Sequence, residues 1–286
     1  MTVAIKDDAA MDEASLGMLE ASLRKTMSSA SGPKLDAALT ELGWADMLTE
    51  APELAIPLYF RLLGETGSHA SILVDVVLHA TGNAIGDTVE LPLPYAGNAW
   101  VVWDRGGASE ATGEDRGPES LDPTLGGLPL RREEEGYPIR VAEARVAVGW
   151  WLVGSARAML ALARQHALDR VQFGKPIAGF QAVRHRLAET LVAIEGAEAT
   201  LSLPSADNPD LSSLLAKAAA GKAALTAAKN CQQVLGGIGF TEEHGLQHHV
   251  KRTLVLDGLL GSSRELTRRA GAGLRARGSV PRLAQL

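Results

Sequence analysis

"DRVQFGKPIAGFQAVRHRLAE", residues 169–189, breaks a helical chain at a defined corner. Upstream, residues 141–170 run without proline and are dense in Ala, Leu and Val. Downstream, a second helical pattern restarts almost at once. A plain helix–helix connection needs only a few polar residues and a glycine. This one places an aromatic, a glycine and a proline directly after Arg170, so it is expected to present something as well as to join two helices.

The corner sits inside a set of long helices covering 141–286. After the helix that restarts at the corner comes "PDLSSLLAKAAAGKAALTAAKNCQQVL", 209–235, with Pro209 in helix-start position and Gly236–Gly237 where a C-cap favours glycine. A last helical pair covers about 246–277. Four long antiparallel segments of this kind make a bundle. Ahead of them, residues 11–85 show four short helical blocks, with Leu16, Leu19 and Leu23 at helical spacing and Pro33 and Gly43 bounding the second block. From 87 to 138 the texture changes. "DTVELPLP" and "NAWVVWD" read as strands, 104–121 as a loop, and "TLGGLPLRR" as one more strand. The expected fold is mainly α with a small β region: an N-terminal helical domain (1–86), a truncated middle β-domain (87–140) and a C-terminal four-helix bundle (141–286).

Composition narrows the function. The 286 residues carry a net charge of −6, which argues against a nucleic-acid surface. The basic stretch "RRAGAGLRAR" reads as a solvated helix face. Cys231, the single cysteine, excludes an intrachain disulfide and reads as a small buried hydrophobe in a reducing, cytoplasmic setting. The N-terminus lacks the apolar core of a signal peptide, and the longest uncharged runs, 91–103 and 146–156, are too short to cross a bilayer. His244, His248 and His249 with Glu242 and Glu243 invite a metal reading. No third ligand stands at a recognisable spacing, so a structural role is expected. Trp150 and Trp151 are expected to be buried.

Two motifs read together resemble a known family. "DRVQFGKPIAGFQAVRHRLAE" is similar to the R-x-x-F-G-x-x-I-x-x-x-Q pattern of acyl-CoA dehydrogenases, and "QVLGGIGFTEEHGLQ", 233–247, to their Q-x-x-G-G-x-G segment, at matching separation. The resemblance is strongest over 141–286. It implies FAD as cofactor and an acyl-CoA thioester as substrate. It also implies that Arg170 and Phe173, with Gln181 close by, contact a flavin nucleotide held by a neighbouring subunit. Gln233, Gly236 and Gly237 match the second contact, where backbone without side chains lets the adenosine half approach. A guanidinium suits a diphosphate because it bonds it through two charge-assisted hydrogen bonds.

The same resemblance exposes a gap. The family removes an α-proton with a glutamate that precedes a Gly-Thr pair; here that position is Leu260, before Gly261–Ser262. A minority of members place the glutamate on the earlier long helix, where this chain has Ala144–Arg145. Glu143 is one residue early and points about 100° away round the helix. Asp257, three residues before Leu260, shares its face only if that segment is helical. No catalytic residue is therefore assigned. The pattern is similar to the short subunits of heteromeric actinobacterial steroid and sterol side-chain acyl-CoA dehydrogenases, which implies a glutamate-containing partner chain, most simply in an α2β2 assembly. Two alternatives stand beside it: a stand-alone homo-oligomer binding an acyl thioester with altered chemistry, and a structural relative without flavin. No nucleic-acid or membrane partner is expected.

Overall fold

The structure, a computed structural model, describes residues 12–86, 91–103, 121, 122, 125, 140–203 and 208–279. Helices α1 (Glu13–Ser29), α2 (Pro33–Glu41), α3 (Trp44–Glu50), α4 (Pro52–Thr66) and α5 (Leu73–Thr81) come first. A hairpin of β1 (Leu91–Tyr95) and β2 (Ala99–Trp103) follows, in register Leu93 opposite Val101. Then come α6 (Ala142–Asp169), the short strands β3 (Val171–Gln172) and β4 (Lys175–Pro176), α7 (Gln181–Leu201), α8 (Pro209–Leu235), α9 (Leu246–Gly258) and α10 (Ser263–Arg277). The strand readings over 87–94 and 98–104 overlap the hairpin, and their residues 87–90 and 104 lie outside the described residues. The expected 104–121 loop and 124–132 strand fall outside the described residues, apart from Leu121 and Leu125.

The N-terminal part holds five helices where the sequence suggests four blocks. Gly43, at φ +78°, ends α2 and starts α3, a seven-residue helix too short to announce itself by periodicity. Asn208 caps α8 by accepting from the Leu211 N–H at 3.2 Å, with Pro209 in the first turn. Ser262 and Glu265 form a reciprocal capping box at the start of α10.

Helix α6 is the centre of the molecule. By length and hydropathy it could cross a bilayer, yet most of it is buried within the protein. Its contact with α4 is backbone to backbone. A Cβ on Gly154 would lie 2.0 Å from the Arg61 carbonyl oxygen, and one on Gly64 would lie 2.3 Å from that of Trp151. Trp151, fully buried, packs edge-on to Phe60 and stacks on His69. A continuous apolar core then runs from Leu23 and Leu35 through α4, α5 and α6 to Cys231, Leu256 and Leu260. Burial pushes the Cys231 thiol up to about 12, which leaves it inert.

Buried polar groups tie α9 to the turn after α4. Arg252 donates from Nε to Asp122 at 2.8 Å and from Nη1 to the carbonyls of Gly67 (2.6 Å) and Ser68. His248 Nε2 also bonds the Gly67 oxygen at 2.7 Å. His244 accepts from the Leu246 N–H, and Glu242 pairs with Lys251, so the histidine-rich segment is engaged in holding structure.

Two consequences can be measured. Gly154→Ala should separate α4 from α6 and destabilise the chain by about 3 kcal/mol, read as a lower urea midpoint at unchanged slope. Burial holds His69 down at about 3 and His249 at about 4, against 6.5 for an exposed histidine. Below 6.5 the unfolded chain takes up protons that the folded chain refuses. Stability should be full above that pH and fall towards pH 4 by about 2.7 kcal/mol per unit from these two groups. His249→Gln should halve that contribution in denaturant titrations between pH 6.5 and 4.5.

Candidate functional site

Helix α6 ends at Asp169, and Arg170 turns the chain into extended backbone. β3 and β4 then pair through a two-residue turn, Phe173 at φ +54° and Gly174 at φ +77°. Positive φ at both central residues is the hairpin turn that matches strand twist. The Ile177 N–H closes it onto the Arg170 carbonyl at 2.8 Å. Glycine takes such backbone freely, whereas phenylalanine in it is strained by about 1–3 kcal/mol. The Phe173 ring is also 91% exposed and meets Phe180 edge-to-face at 6.1 Å between ring centres, and Phe180 carries the Lys175 ammonium over its face. Strained backbone and an exposed aromatic ring thus coincide at one residue. Arg170 is exposed as well, and its guanidinium makes no hydrogen bond or ion pair among the described residues.

The antiparallel course of α6, α7 and α8 returns the chain to the same end of the bundle. Gln181 is the exposed first residue of α7. α8 closes on Gly236, at φ 65° and ψ −140°, and 3-10 turns carry Gly236 to Phe240. A Cβ on Gly236 or Gly237 would meet open space, so this stretch of backbone is free to be approached. Gly239, by contrast, lies where a Cβ would come 2.9 Å from the Gln232 oxygen. Burial first, then the charges of His244 and Arg170, lower the pKa of His166 near the end of α6. Gln233 is exposed and lines a groove of about 570 Å³ between α8 and α9, with Phe240 and Leu254 at its lips.

At the position of the missing base the chain is closed. Leu260 is 1% exposed and has left-handed backbone at φ +62°. Its N–H donates to the Pro94 carbonyl at 2.7 Å, and the Ala96 N–H to that of Gly258 at 2.9 Å, so the β1–β2 hairpin sits directly on this loop. The Tyr95 ring fills the space beside Gly258, where a Cβ would come within 2.3 Å of it. Ala144 is fully buried, while Glu143 turns away to His79 at 3.7 Å. α9 is helical as far as Gly258, but the Asp257 carboxylate accepts from the Ser263 N–H at 3.1 Å. Neither acid, Glu143 or Asp257, stands free at Leu260.

Lys217 is the group that sequence reading missed. It is fully buried on α8, with Nζ donating to the carbonyls of Asp257 (2.9 Å) and Gly261 (2.7 Å), so it clamps the loop carrying Leu260. Burial pulls its pKa down to about 7, against the pull of Asp257 and with the push of Arg145. The available signal was its phase: Leu214, Lys217, Gly221 and Ala224 share the inward face of α8.

Comparison with known proteins follows the same lines. The family model described as acyl-CoA dehydrogenase, C-terminal domain, matches residues 140–274. Acyl-CoA dehydrogenase IpdE2 of Mycobacterium tuberculosis is 31% identical over 260 residues, covering 84% of this chain and 78% of the relative. This chain belongs to the acyl-CoA dehydrogenase family. Among solved structures, a variant of the Tcur3481-Tcur3483 steroid ACAD aligns with TM-score 0.65 at 18% identity, over 93% of this chain and 98% of that one. The ChsE4-ChsE5 complex from Mycobacterium tuberculosis aligns with TM-score 0.64 at 18% identity, over 96% and 100%. Both are likenesses of fold, mostly helical with few strands, as the sequence reading expects.

Restoring a carboxylate at the family's usual place should not restore a site. Leu260→Glu would bury an ionisable group against Pro94 and Tyr95, raising its pKa and destabilising the fold by about 3–5 kcal/mol. Denaturant titration should show that loss, and the isolated variant should turn over no acyl-CoA with an artificial electron acceptor and added flavin.

Proposed function

We propose that this chain is the non-catalytic, flavin-completing subunit of a heteromeric acyl-CoA dehydrogenase, most simply α2β2, with a glutamate-bearing relative as partner. The observation that carries the reading is the elbow: an aromatic ring held almost fully exposed on strained backbone beside an unpaired arginine, in a chain whose two usual base positions are Leu260 and Ala144. A surface arranged this way gains stability only when another molecule covers it.

The residues fit the nucleotide part of FAD. Arg170 would neutralise the diphosphate, Phe173 would cover an apolar face of the nucleotide, and the open backbone at Gly236 and Gly237 would admit its adenosine half. Gln181 and Gln233 each offer an amide with both donors and an acceptor. Bound flavin supplies the hydride acceptor for α,β-desaturation of the thioester. The α-proton is left to the partner's carboxylate, since Asp257 is held by Ser263 and Leu260 accepts nothing. The stand-alone alternative requires an acid or base beside Leu260; Lys217, buried under this loop, is committed to the carbonyls of Asp257 and Gly261.

Acyl-CoA is the substrate class this reading assigns. A steroid side-chain ester is favoured because one fold neighbour is a steroid ACAD and another is a two-protein complex. A cytoplasmic location accords with the buried, unpaired Cys231.

Arg170→Ala in the reconstituted complex should weaken flavin affinity ten- to a hundred-fold, the value of about 1.5–3 kcal/mol for a charged hydrogen bond. Flavin titration by fluorescence quenching measures it. Unchanged affinity in a folded complex would assign the corner a structural role alone.

A further inference from the structure

A cavity of about 570 Å³ opens on the side of the bundle away from Ala144. At 100° per residue, Val146 lies 200° and Trp150 240° round α6 from Ala144, so the wall they form faces the opposite way. The N-terminal turns of α4, the last turn of α7 and the first turns of α8 complete it. Its size is within the range of small-molecule sites, which typically enclose about 300–1,000 Å³. The walls are apolar, from Ile56, Pro57, Val146, Trp150 and Leu201, and Leu203 stands 70% exposed at the lip.

The polar groups of this cavity are mostly acceptors, and the Trp150 indole Nε1–H, buried with no hydrogen-bond partner among the described residues, adds a donor. Thr200 Oγ1 donates its hydrogen to the Gly196 carbonyl, Ser212 Oγ to that of Pro209 and Ser213 Oγ to that of Asp210. The Thr200 and Ser212 hydroxyls committed in this way offer lone pairs to a guest, while Ser213 Oγ already accepts from Arg145 Nη1 at 3.4 Å. Glu53 and Glu143 add two carboxylates, the second 3.7 Å from His79 Nδ1. No lysine or arginine lines the cavity among the described residues. An apolar chamber with two carboxylates and one unpartnered indole N–H selects an uncharged hydrophobic molecule whose polar group can both donate and accept, and its carboxylates repel phosphates and carboxylates.

We propose that this cavity binds a hydrophobic alcohol or amine, in a site separate from any bound acyl-CoA, whose phosphates its acidic rim would reject. Glu143 is the residue that fixes the donor, and Val146 with Trp150 forms the apolar seat.

The test uses the purified full chain with 1-aminoanthracene, followed by its fluorescence, and 1-anthracenecarboxylate as the same ring system with an anion in place of the donor. One molecule of the amine should bind per chain, at least ten-fold more tightly than the carboxylate. Val146→Trp, which fills the chamber, should abolish binding. Glu143→Gln, on a half-exposed side chain, should weaken it five- to ten-fold and serves alone if Val146→Trp does not fold. Equal affinity for the two probes, no saturable binding of the amine, or undiminished binding by folded Val146→Trp would each overturn the proposal.

Discussion

Gly64 and Gly154 allow α4 and α6 to meet with no side chain between them, and the placement of the other elements follows from that contact. With the two backbones in touch, Trp151 can reach both Phe60 and His69, and the turn after α4 comes within range of Arg252 and His248 on α9. The N-terminal helices and the bundle therefore share one apolar core. The same helix α6 that receives α4 carries Ala144 near its start and Arg170 at its end, so its seating fixes both halves of the functional question at once.

Those two ends have been treated differently. Around Leu260 the chain is filled: the β1–β2 hairpin bonds the loop through Pro94 and Gly258, Tyr95 occupies the space beside it, and Lys217 clamps it from below. At the elbow it is open, with Arg170 unpaired among the described residues, Phe173 projecting, and open space beside the α-carbons of Gly236 and Gly237. A protein that needed to act on a thioester by itself would invert this distribution. On the proposed reading, the interior of this chain serves stability and the chemistry lies on a surface that a second molecule completes.

Much of this was legible in the residues, for local reasons. F-G before K-P specifies a tight turn, glycine after a long Ala-rich run specifies a helix stop, and the 100° step correctly turned Glu143 away from the face of Ala144. Long-range features were not. Asp122 and Arg252 are 130 residues apart and meet only in the fold. Lys217 looks like a solvated lysine in an alanine helix until the carbonyls of Asp257 and Gly261 are seen to surround it. α3 was hidden because seven residues make less than two turns. The left-handed backbone of Leu260 has no sequence signature, since leucine rarely adopts it.

The central claim is that this chain completes a flavin site belonging to another subunit. The most direct measurement is the visible absorption and acyl-CoA turnover of the purified chain alone and after co-expression with a glutamate-containing relative of the same family. Colourless, inactive protein on its own and a yellow, active hetero-oligomer with the partner are the predicted results. A yellow homo-oligomer that turns over acyl-CoA unaided would contradict the account.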